Sequence, residues 1–548
     1  MTSSVAELHL EKKISDEDMK LMKGQYVDDS SYDVLITDDC DVYDHVGRLL
    51  LKFRKKIMSD EEIDIGFHSF KNMAKPSRGR GAAAGLINPD DQYWKNRKLV
   101  KFSKWSANYE TPAGEISKMK IQHEVASNPI GYFGKTNMGN KLPCRLSYFT
   151  QNDFMKYQSG IPYIQNLSES YRNLNPKEYD RQLNRANLNP HLKIEGTPFS
   201  TITVNRNFRT GIHQDSGDFG FGNLSCLEYG AYSGGYFVMP QYKVAVDMRA
   251  GDHLCCDVHQ YHANTELHET ESDKIINDNL VDIYHDNLNI GVKGLNNRYA
   301  RISLVCYLRE DLVKCDSPSP SHLTPVFPTK NVFYINLKKD MTRRKKFIST
   351  NYVRWDASIR TDVSQELDKK MVSYHNLPRE DHLGKCACFL SHVNLLKKII
   401  EYKINSCYIL EDDAIQIGSL PLPKKLSSEK FTYLGGFIMN RKITSTDPVE
   451  IVHTKGINTL DEKKHQMLMA LSYFIPTWQV AEQMLNHMLS QDRYRAYDVM
   501  LFKSHPSEYI HPAIFVEEHV ESNLRKKKNH HCNDNYEFIH HKKIKLYL

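Results

Sequence analysis

TITVNRNFRTGIHQDSGDFGFGNLS, residues 201–225, decides how the first half of this chain is read. It opens on β-branched residues that suit a strand and then reaches His213-Gln214-Asp215. Residues two apart on an extended chain point to the same side, so His213 and Asp215 are expected to face one metal. A third ligand has to come from a later strand, and CDVHQYHANTEL (256–267) offers His259 and His262 at a strand end. Two histidines and one carboxylate on one face of an octahedron leave open positions. Non-haem Fe(II) oxygenases use them for a bidentate co-substrate and O2. Arg301, in the strand-like RISLVCYL, carries a guanidinium fork that suits the distal carboxylate of 2-oxoglutarate.

Outward from that stretch, short β-branched and aromatic runs recur: FSTITVNR (199–206), GYFVMP (235–240), YKVAVDM (242–248), DHLCCDV (252–258) and ARISLVCYL (300–308). Strands this closely spaced predict a sandwich or barrel-like double sheet. The first 74 residues are charged and weakly periodic, and are expected to form helices or to be partly disordered. LVKCDSPSPSHLTPVFPTK (312–330), rich in proline and serine, reads as a linker. Beyond it the pattern changes. VFYINL (332–337) and CYIL (407–410) read as buried strands, CACFLSHVNLLKKIIEY (386–402) and AEQMLNHML (481–489) as helices. Alternating strands and helices predict an α/β sheet.

The chain has 548 residues, 40% hydrophobic and 26% charged, which fits globular domains and excludes wholesale disorder. No apolar run reaches the ~20 residues of a membrane span, and the N-terminus lacks the apolar core of a secretory signal. The 11 cysteines form no CxxC pair. Reduced thiols in a cytoplasmic or nuclear compartment are therefore expected. The formal charge is +6, and residues 523–548 hold seven Lys/Arg (Arg525 to Lys528, Lys542, Lys543, Lys545) against Asp534 and Glu537, so the tail accounts for +5 of it. A basic tail is either a solvated terminus or a patch for polyanions.

The segments 201–225, SGGYFVMPQYKVAVDMRAGDHLCCDVHQYHANTEL (233–267) and RISLVCYLR (301–309) resemble the TET/JBP family of 2-oxoglutarate- and Fe(II)-dependent nucleic-acid-base oxygenases, in particular its thymine hydroxylases. SRGRGAAAG (77–85) and SNPIGYF (127–133) extend the likeness over about 75–310. The resemblance implies a double-stranded β-helix (jelly-roll) fold with iron on His213, Asp215 and His262. His259 then falls outside the ligand set. It implies 2-oxoglutarate on Arg301, with Asn205 and Asn207 touching the co-substrate, O2 as oxidant, and a methylated base in DNA as substrate. A base in duplex DNA must leave the stack to be reached, and Phe219, Phe221 and Tyr236 are candidates to stack on it. One departure is the acidic stretch 269–287, read as an inserted surface loop.

ILEDDA (409–414) sets Glu411, Asp412 and Asp413 after a buried strand, where carboxylates can hold a hard cation bridging a diphosphate. With VFYINLKKDMTRRKKF (332–347), WDA (355–357), CFLSH (388–392), YLGG (433–436), ALSYFIP (470–476) and YDVML (497–501), it resembles glycosyltransferase family 25 over about 330–525. That implies a GT-A-like α/β fold and a nucleotide-sugar donor, such as a UDP-sugar, with Mn2+ on Glu411, Asp412 and Asp413. Arg343, Arg344 and Asp356 would meet the nucleotide-sugar, while His392 and Asp498 would serve catalysis. GKCAC (384–388) stands where the family carries a Gly-Glu-x-Gly segment.

The expected layout is an N-terminal extension (1–74), an oxygenase (75–311), a linker (312–330), a transferase (331–524) and a basic tail (525–548). An oxygenase that makes a hydroxymethyl group produces the nucleophile a glycosyltransferase needs. The leading expectation is hydroxylation of thymine or 5-methylcytosine followed by glycosylation. Two other readings stay open: an oxygenase and transferase acting on a hydroxylated protein or a lipid-linked saccharide, and a DNA-binding scaffold with degenerate sites.

Overall fold

A computed structural model describes residues 5–90, 94, 98–135, 143–283, 298–315, 320–373, 377–440, 454–461, 463 and 465–518. They form two compact units, divided between Val326 and Phe327. The basic tail and the end of the acidic stretch (284–287) lie outside the described residues.

The first unit is built on a ten-stranded sheet. Its order is Ala6–Leu10, Cys40–Asp44, Leu49–Arg54, His253–Cys256, Asp218–Tyr229, Ala300–Arg309, Thr201–Arg206, Val125–Phe133 and Pro76–Ser77, with Arg145–Leu146 also pairing on Val125–Phe133. A four-stranded sheet runs Ala263–Asn264, Phe237–Met239, Val244–Val246 and Val34–Ile36. One apolar cluster draws on both sheets, joining Val42, Leu51 and Phe53 to Leu224, Leu254, Phe237, Val244 and Val246. The alternating runs of the sequence are legible here, since every second residue of such strands enters that core.

The expectation of an N-terminal extension is corrected by these pairings. Ala6–Leu10, Cys40–Asp44 and Leu49–Arg54 complete one edge of the large sheet, and Val34–Ile36 joins the small one. Their charged residues alternate with apolar ones that reach the core, so the density of charge concealed the strands. Helix Asp60–Phe70, capped by Ser59 and Glu62, packs on helix Phe154–Leu174. The two approach closely because Gly160 lets Phe70 in. A Cβ there would stand 2.5 Å from the ring.

The cysteine reading is also corrected. Cys144 and Cys315 are joined by a disulfide with Cα atoms 6.2 Å apart. They are separated by 171 residues, so no local spacing announced the pair. The bond and a Val326 N–H donated to Gln151 O hold much of the expected linker on the first unit. The acidic stretch begins as a helix, Glu271–Asp278, capped by Thr270.

The second unit has a mixed seven-stranded sheet in the order Val353–Asp356, Asn331–Asn336, Cys407–Glu411, His465–Ile475, Phe431–Asn440, Ser507–His511 and Gly456–Thr459. Asn331–Asn336 runs parallel to both its neighbours. Helices Arg379–Glu401, Trp478–Leu489 and Tyr497–Ser504 pack together. Among the described residues no helix is long and apolar enough to cross a membrane.

Candidate active sites

Two chain segments meet to form the first site. His213 lies beyond the strand Thr201–Arg206, in an isolated antiparallel bridge with His262. Each donates its N–H to the other's carbonyl at 3.0 Å. The rings stand 4.3 Å apart between centroids, and Phe237 stacks on His262 at 5.5 Å. The Asp215 carboxylate approaches both rings, at 3.9 Å from His213 Nε2 and 3.6 Å from His262 Nε2. All three offer ligand atoms within 4.8 Å of one another. The Nδ1 atoms face the carbonyls of Gly211 and Gln260, at 2.8 and 2.9 Å, which leaves each Nε2 for a metal.

The electrostatics suit that donor set. Burial, with His262 nearby, lowers His213 to about 4, so its imidazole is neutral. Burial would raise Asp215, but the His262 hydrogen bond and both imidazoles hold it below the carboxylate range. Burial opposes charge on His262, and Asp215 outweighs it and raises the imidazole. His259 points elsewhere, to Asp257 Oδ1 at 3.1 Å and Asp218 O at 3.0 Å.

A cavity of about 500 Å³ opens on the triad and is also lined by Arg301, Asn205 and Ser303. Arg301 is 4% exposed. Its Nε and Nη2 are buried without a hydrogen-bond partner. A guanidinium left with two orphaned donors is costly unless an anion completes it. A dicarboxylate chelating iron at one end fits that cavity chemically. Asn205 lines it too, held by Ser127 and Ser303. Asn207 does not line it. Its Oδ1 accepts the Arg301 N–H at 2.7 Å and its Nδ2 donates to Tyr299 O, so it fixes the strand carrying Arg301.

Other residues there were not among the expected ones. Arg80, from SRGRG, lines the cavity with a buried, unpartnered Nη2. Burial and neighbouring Asp215 push Asp218 up to about 8. The aromatics lining the cavity are Trp105, Phe208, Phe237 and Tyr307. Phe219, Phe221 and Tyr236 do not line it. Arg181 sits 4.6 Å over the Phe219 ring, and Tyr236 meets Tyr32 edge-on.

The second unit gathers acidic groups where Cys407–Glu411 ends. Asp412 Oδ1 accepts from Arg343 Nη1 at 2.8 Å and its Oδ2 from Asn336 Nδ2 at 2.9 Å. Asp413 Oδ2 lies 3.7 Å from the same arginine, and its Oδ1 is buried without a partner. Glu411 meets His392 Nε2 at 3.2 Å and Cys388 Sγ at 3.9 Å. The three carboxylates therefore do not converge on one point as expected. Ligand atoms within 4.8 Å group Glu411 with Cys388 and His392 instead. Burial and neighbouring carboxylates, Asp412 for Glu411 and Glu411 for Asp413, raise both groups. A cation beside them would relieve this, so Asp413 with its orphaned oxygen fits a divalent metal.

The other expected transferase residues divide. Arg344 is fully buried and donates to Asn336 Oδ1 at 2.6 Å and to the carbonyls of Leu337 and Lys338. It organises the turn after the first strand rather than presenting a fork to phosphate. Asp356 is exposed at a strand end, accepting from Arg354 Nη2 at 2.7 Å. His392 is 1% exposed, its Nδ1 on Tyr473 OH at 2.9 Å and its ring stacked on Tyr497. Burial lowers it to about 3, so it is a neutral hydrogen-bonding group. Asp498 accepts the N–H groups of Met469 and Val499 at 3.1 and 2.8 Å.

Comparison with known proteins bears on both units. Residues 128–310 match the oxygenase domain of the 2OGFeDO superfamily, Tet_JBP. Residues 329–489 match glycosyltransferase family 25 (LPS biosynthesis protein). Thymine dioxygenase JBP1 of Trypanosoma brucei brucei is 37% identical over 148 residues, 27% of this chain and 17% of the relative. Bifunctional helicase and thymine dioxygenase JBP2 of Trypanosoma brucei brucei (strain 927/4 GUTat10.1) is 30% identical over 210 residues, 37% of this chain and 17% of the relative. The chain thus spans about a sixth of the length of these curated relatives. Among solved structures, NgTET1 in complex with 5mC DNA is similar at 10% identity and a TM-score of 0.30, covering 55% of this chain and 94% of that one. The chain thus carries, in order, a region that matches the Tet_JBP oxygenase domain of the 2OGFeDO superfamily and a region that matches glycosyltransferase family 25.

Proposed function

We propose that the chain is a bifunctional DNA base-modifying enzyme. Its first unit hydroxylates the methyl group of thymine, or of 5-methylcytosine, and its second transfers a sugar from a nucleotide-sugar to the new hydroxyl. In this reading the two sheets of the first unit form a double-stranded β-helix and the second unit is GT-A-like. The observation that carries it is Arg301, whose buried guanidinium leaves Nε and Nη2 unpartnered and shares a cavity with His213, Asp215 and His262. The relatives' naming as thymine dioxygenases supports the choice of base.

The residues divide the work. His213, Asp215 and His262 would hold Fe(II), and Arg301 the far carboxylate of 2-oxoglutarate. When bound, the iron with its co-substrate supplies oxidation of a C–H bond by O2, yielding succinate and CO2. Asn205, between Ser127 and Ser303, borders the co-substrate space. Trp105, Phe208 and Tyr307 would flank a base extruded from the duplex. In the second unit Asp412 and Asp413 would hold Mn2+ and the donor diphosphate, with Arg343 released from Asp412 to meet phosphate. Glu411 and Asp498 would face the acceptor, and His392 would orient Glu411. Joining the units in one chain raises the effective concentration of the hydroxylated intermediate.

The direct test is succinate release coupled to hydroxymethylation of DNA, together with Mn2+-dependent consumption of a UDP-sugar. Activity on a protein or saccharide acceptor and none on hydroxymethylated DNA would instead favour the protein or lipid-linked saccharide reading.

A further inference from the structure

The helix Arg379–Glu401 carries two His/Cys pairs at helical i,i+4 spacing, His382 with Cys386 and Cys388 with His392. Residues four apart lie on one helix face, so each pair offers a nitrogen and a sulfur side by side. Both cysteines belong to GKCAC, the segment where the sequence departs from the transferase pattern. Each pair has a carboxylate from a second element: Asp368, in helix Gln365–Lys370, for the first and Glu411 for the second.

The pairs differ in how their histidines are satisfied. His392 has a partner on each nitrogen, Tyr473 and Glu411, and belongs to the transferase site already described. His382 meets Asp368 Oδ1 through Nε2 at 3.0 Å, while its Nδ1 is buried without a partner. It is 5% exposed and Cys386 is 0% exposed, so bulk solvent does not reach that nitrogen. Ligand atoms of Asp368, His382 and Cys386 lie within 4.8 Å of one another. At Zn–N and Zn–O distances of about 2.0 Å and Zn–S of about 2.3 Å, tetrahedral ligands stand roughly 3.5 Å apart.

We propose that Asp368, His382 and Cys386 form a zinc site that clamps helix Gln365–Lys370 to helix Arg379–Glu401. A thiolate, an imidazole and a carboxylate together select a borderline-soft divalent ion such as Zn2+ over Mg2+ or Mn2+. The Cys386 thiol gives up its proton as the metal enters. Arg379 donates to both oxygens of Asp368 at 2.6 Å and would keep that carboxylate oriented toward the site. Three protein ligands leave the fourth position to water. The site is separate from the iron triad, which has no sulfur, and from the Glu411 cluster.

The test is titration of the full chain with Co2+, read by the thiolate-to-cobalt charge-transfer absorption. Cobalt on the iron triad gives no such band. A band should appear at about one equivalent of cobalt beyond what the triad takes up, and zinc should displace it. Cys386→Ser should abolish it, His382→Gln should weaken it at least tenfold, and Cys388→Ser should leave it in place. Circular dichroism checks that each variant is folded, and His382→Gln keeps the thiol should Cys386→Ser fail to fold. No charge-transfer band in the wild-type chain, or an equal band in folded Cys386→Ser or His382→Gln, would overturn the proposal.

Discussion

His213 and His262 are bound to each other through their backbones, each N–H donated to the other's carbonyl at 3.0 Å, before any metal is considered. The meeting of the two rings is therefore a property of the chain crossing. Two loops that leave different strands are pinned at the residues whose rings must converge. Asp215, two residues on, is carried to the same place.

The triad assignment predicts a sharp contrast among neighbouring histidines. His213→Ala and Asp215→Ala should each lower Fe(II)-dependent succinate formation by more than about 100-fold. His259→Ala should retain most of it, because His259 points to Asp257 and Asp218 O. Iron binding and succinate release measured on the same preparations check this, and equal losses in all three would refute the assignment.

Arg301 should act on co-substrate affinity. Arg301→Met removes a charge-assisted pair to a carboxylate, about 1.5–3 kcal/mol, and should raise the KM for 2-oxoglutarate some 10- to 100-fold. Arg301→Lys should restore little of it, since a point charge does not reproduce the fork. The 2-oxoglutarate dependence of CO2 release is the measurement. An unchanged KM would remove Arg301 from the co-substrate site.

Acid sensitivity of the first unit follows from His253, buried between Ser170 Oγ and Asn223 Oδ1. Burial lowers it to about 3 from an ordinary value of 6.5. The unfolded chain therefore binds the proton more readily than the folded one. The stability this neutral group contributes is complete above about pH 6.5 and is lost as pH falls toward 3, at about 1.4 kcal/mol per pH unit. Denaturant melts from pH 7 to 4 should show that decline, and His253→Gln should flatten it by one proton's share.

Two residues of the second unit should separate fold from activity. Arg344→Ala removes buried hydrogen bonds to Asn336, Leu337 and Lys338 and should cost about 2–4 kcal/mol, visible as a lower Tm. Asp413→Asn removes a buried carboxylate with an unpartnered oxygen. It should abolish Mn2+-dependent UDP-sugar hydrolysis while leaving Tm equal or higher. Calorimetry beside the hydrolysis assay distinguishes the two, and an active Asp413→Asn enzyme would displace the metal from that residue.

The strands around HxD, the parallel opening of the second unit and the approach of His213 to Asp215 were legible in the sequence, because alternation and residue identity are local properties. The edge formed by Ala6–Leu10 and Cys40–Asp44 was not, since its charged residues mask the apolar ones that pack. Asn207 and Arg344 lay in the right segments, yet their side chains are bound to backbone carbonyls and amides that only the fold supplies. Glu411, Asp412 and Asp413 are contiguous in sequence, yet Glu411 turns to His392 while Asp412 and Asp413 approach Arg343, partners that only the fold supplies. The Cys144–Cys315 bond depends on closure across 171 residues, which spacing does not encode.

That one chain hydroxylates a DNA base and then glycosylates it is tested most directly by nucleoside mass spectrometry. The sample is DNA treated with the full-length chain, Fe(II), 2-oxoglutarate, Mn2+ and UDP-sugars. The wild type should yield a glycosylated hydroxymethyl base, Asp412→Ala/Asp413→Ala hydroxymethyl base alone, and His213→Ala neither. Unmodified DNA from the wild-type chain, with 2-oxoglutarate turnover intact, would contradict the proposed function.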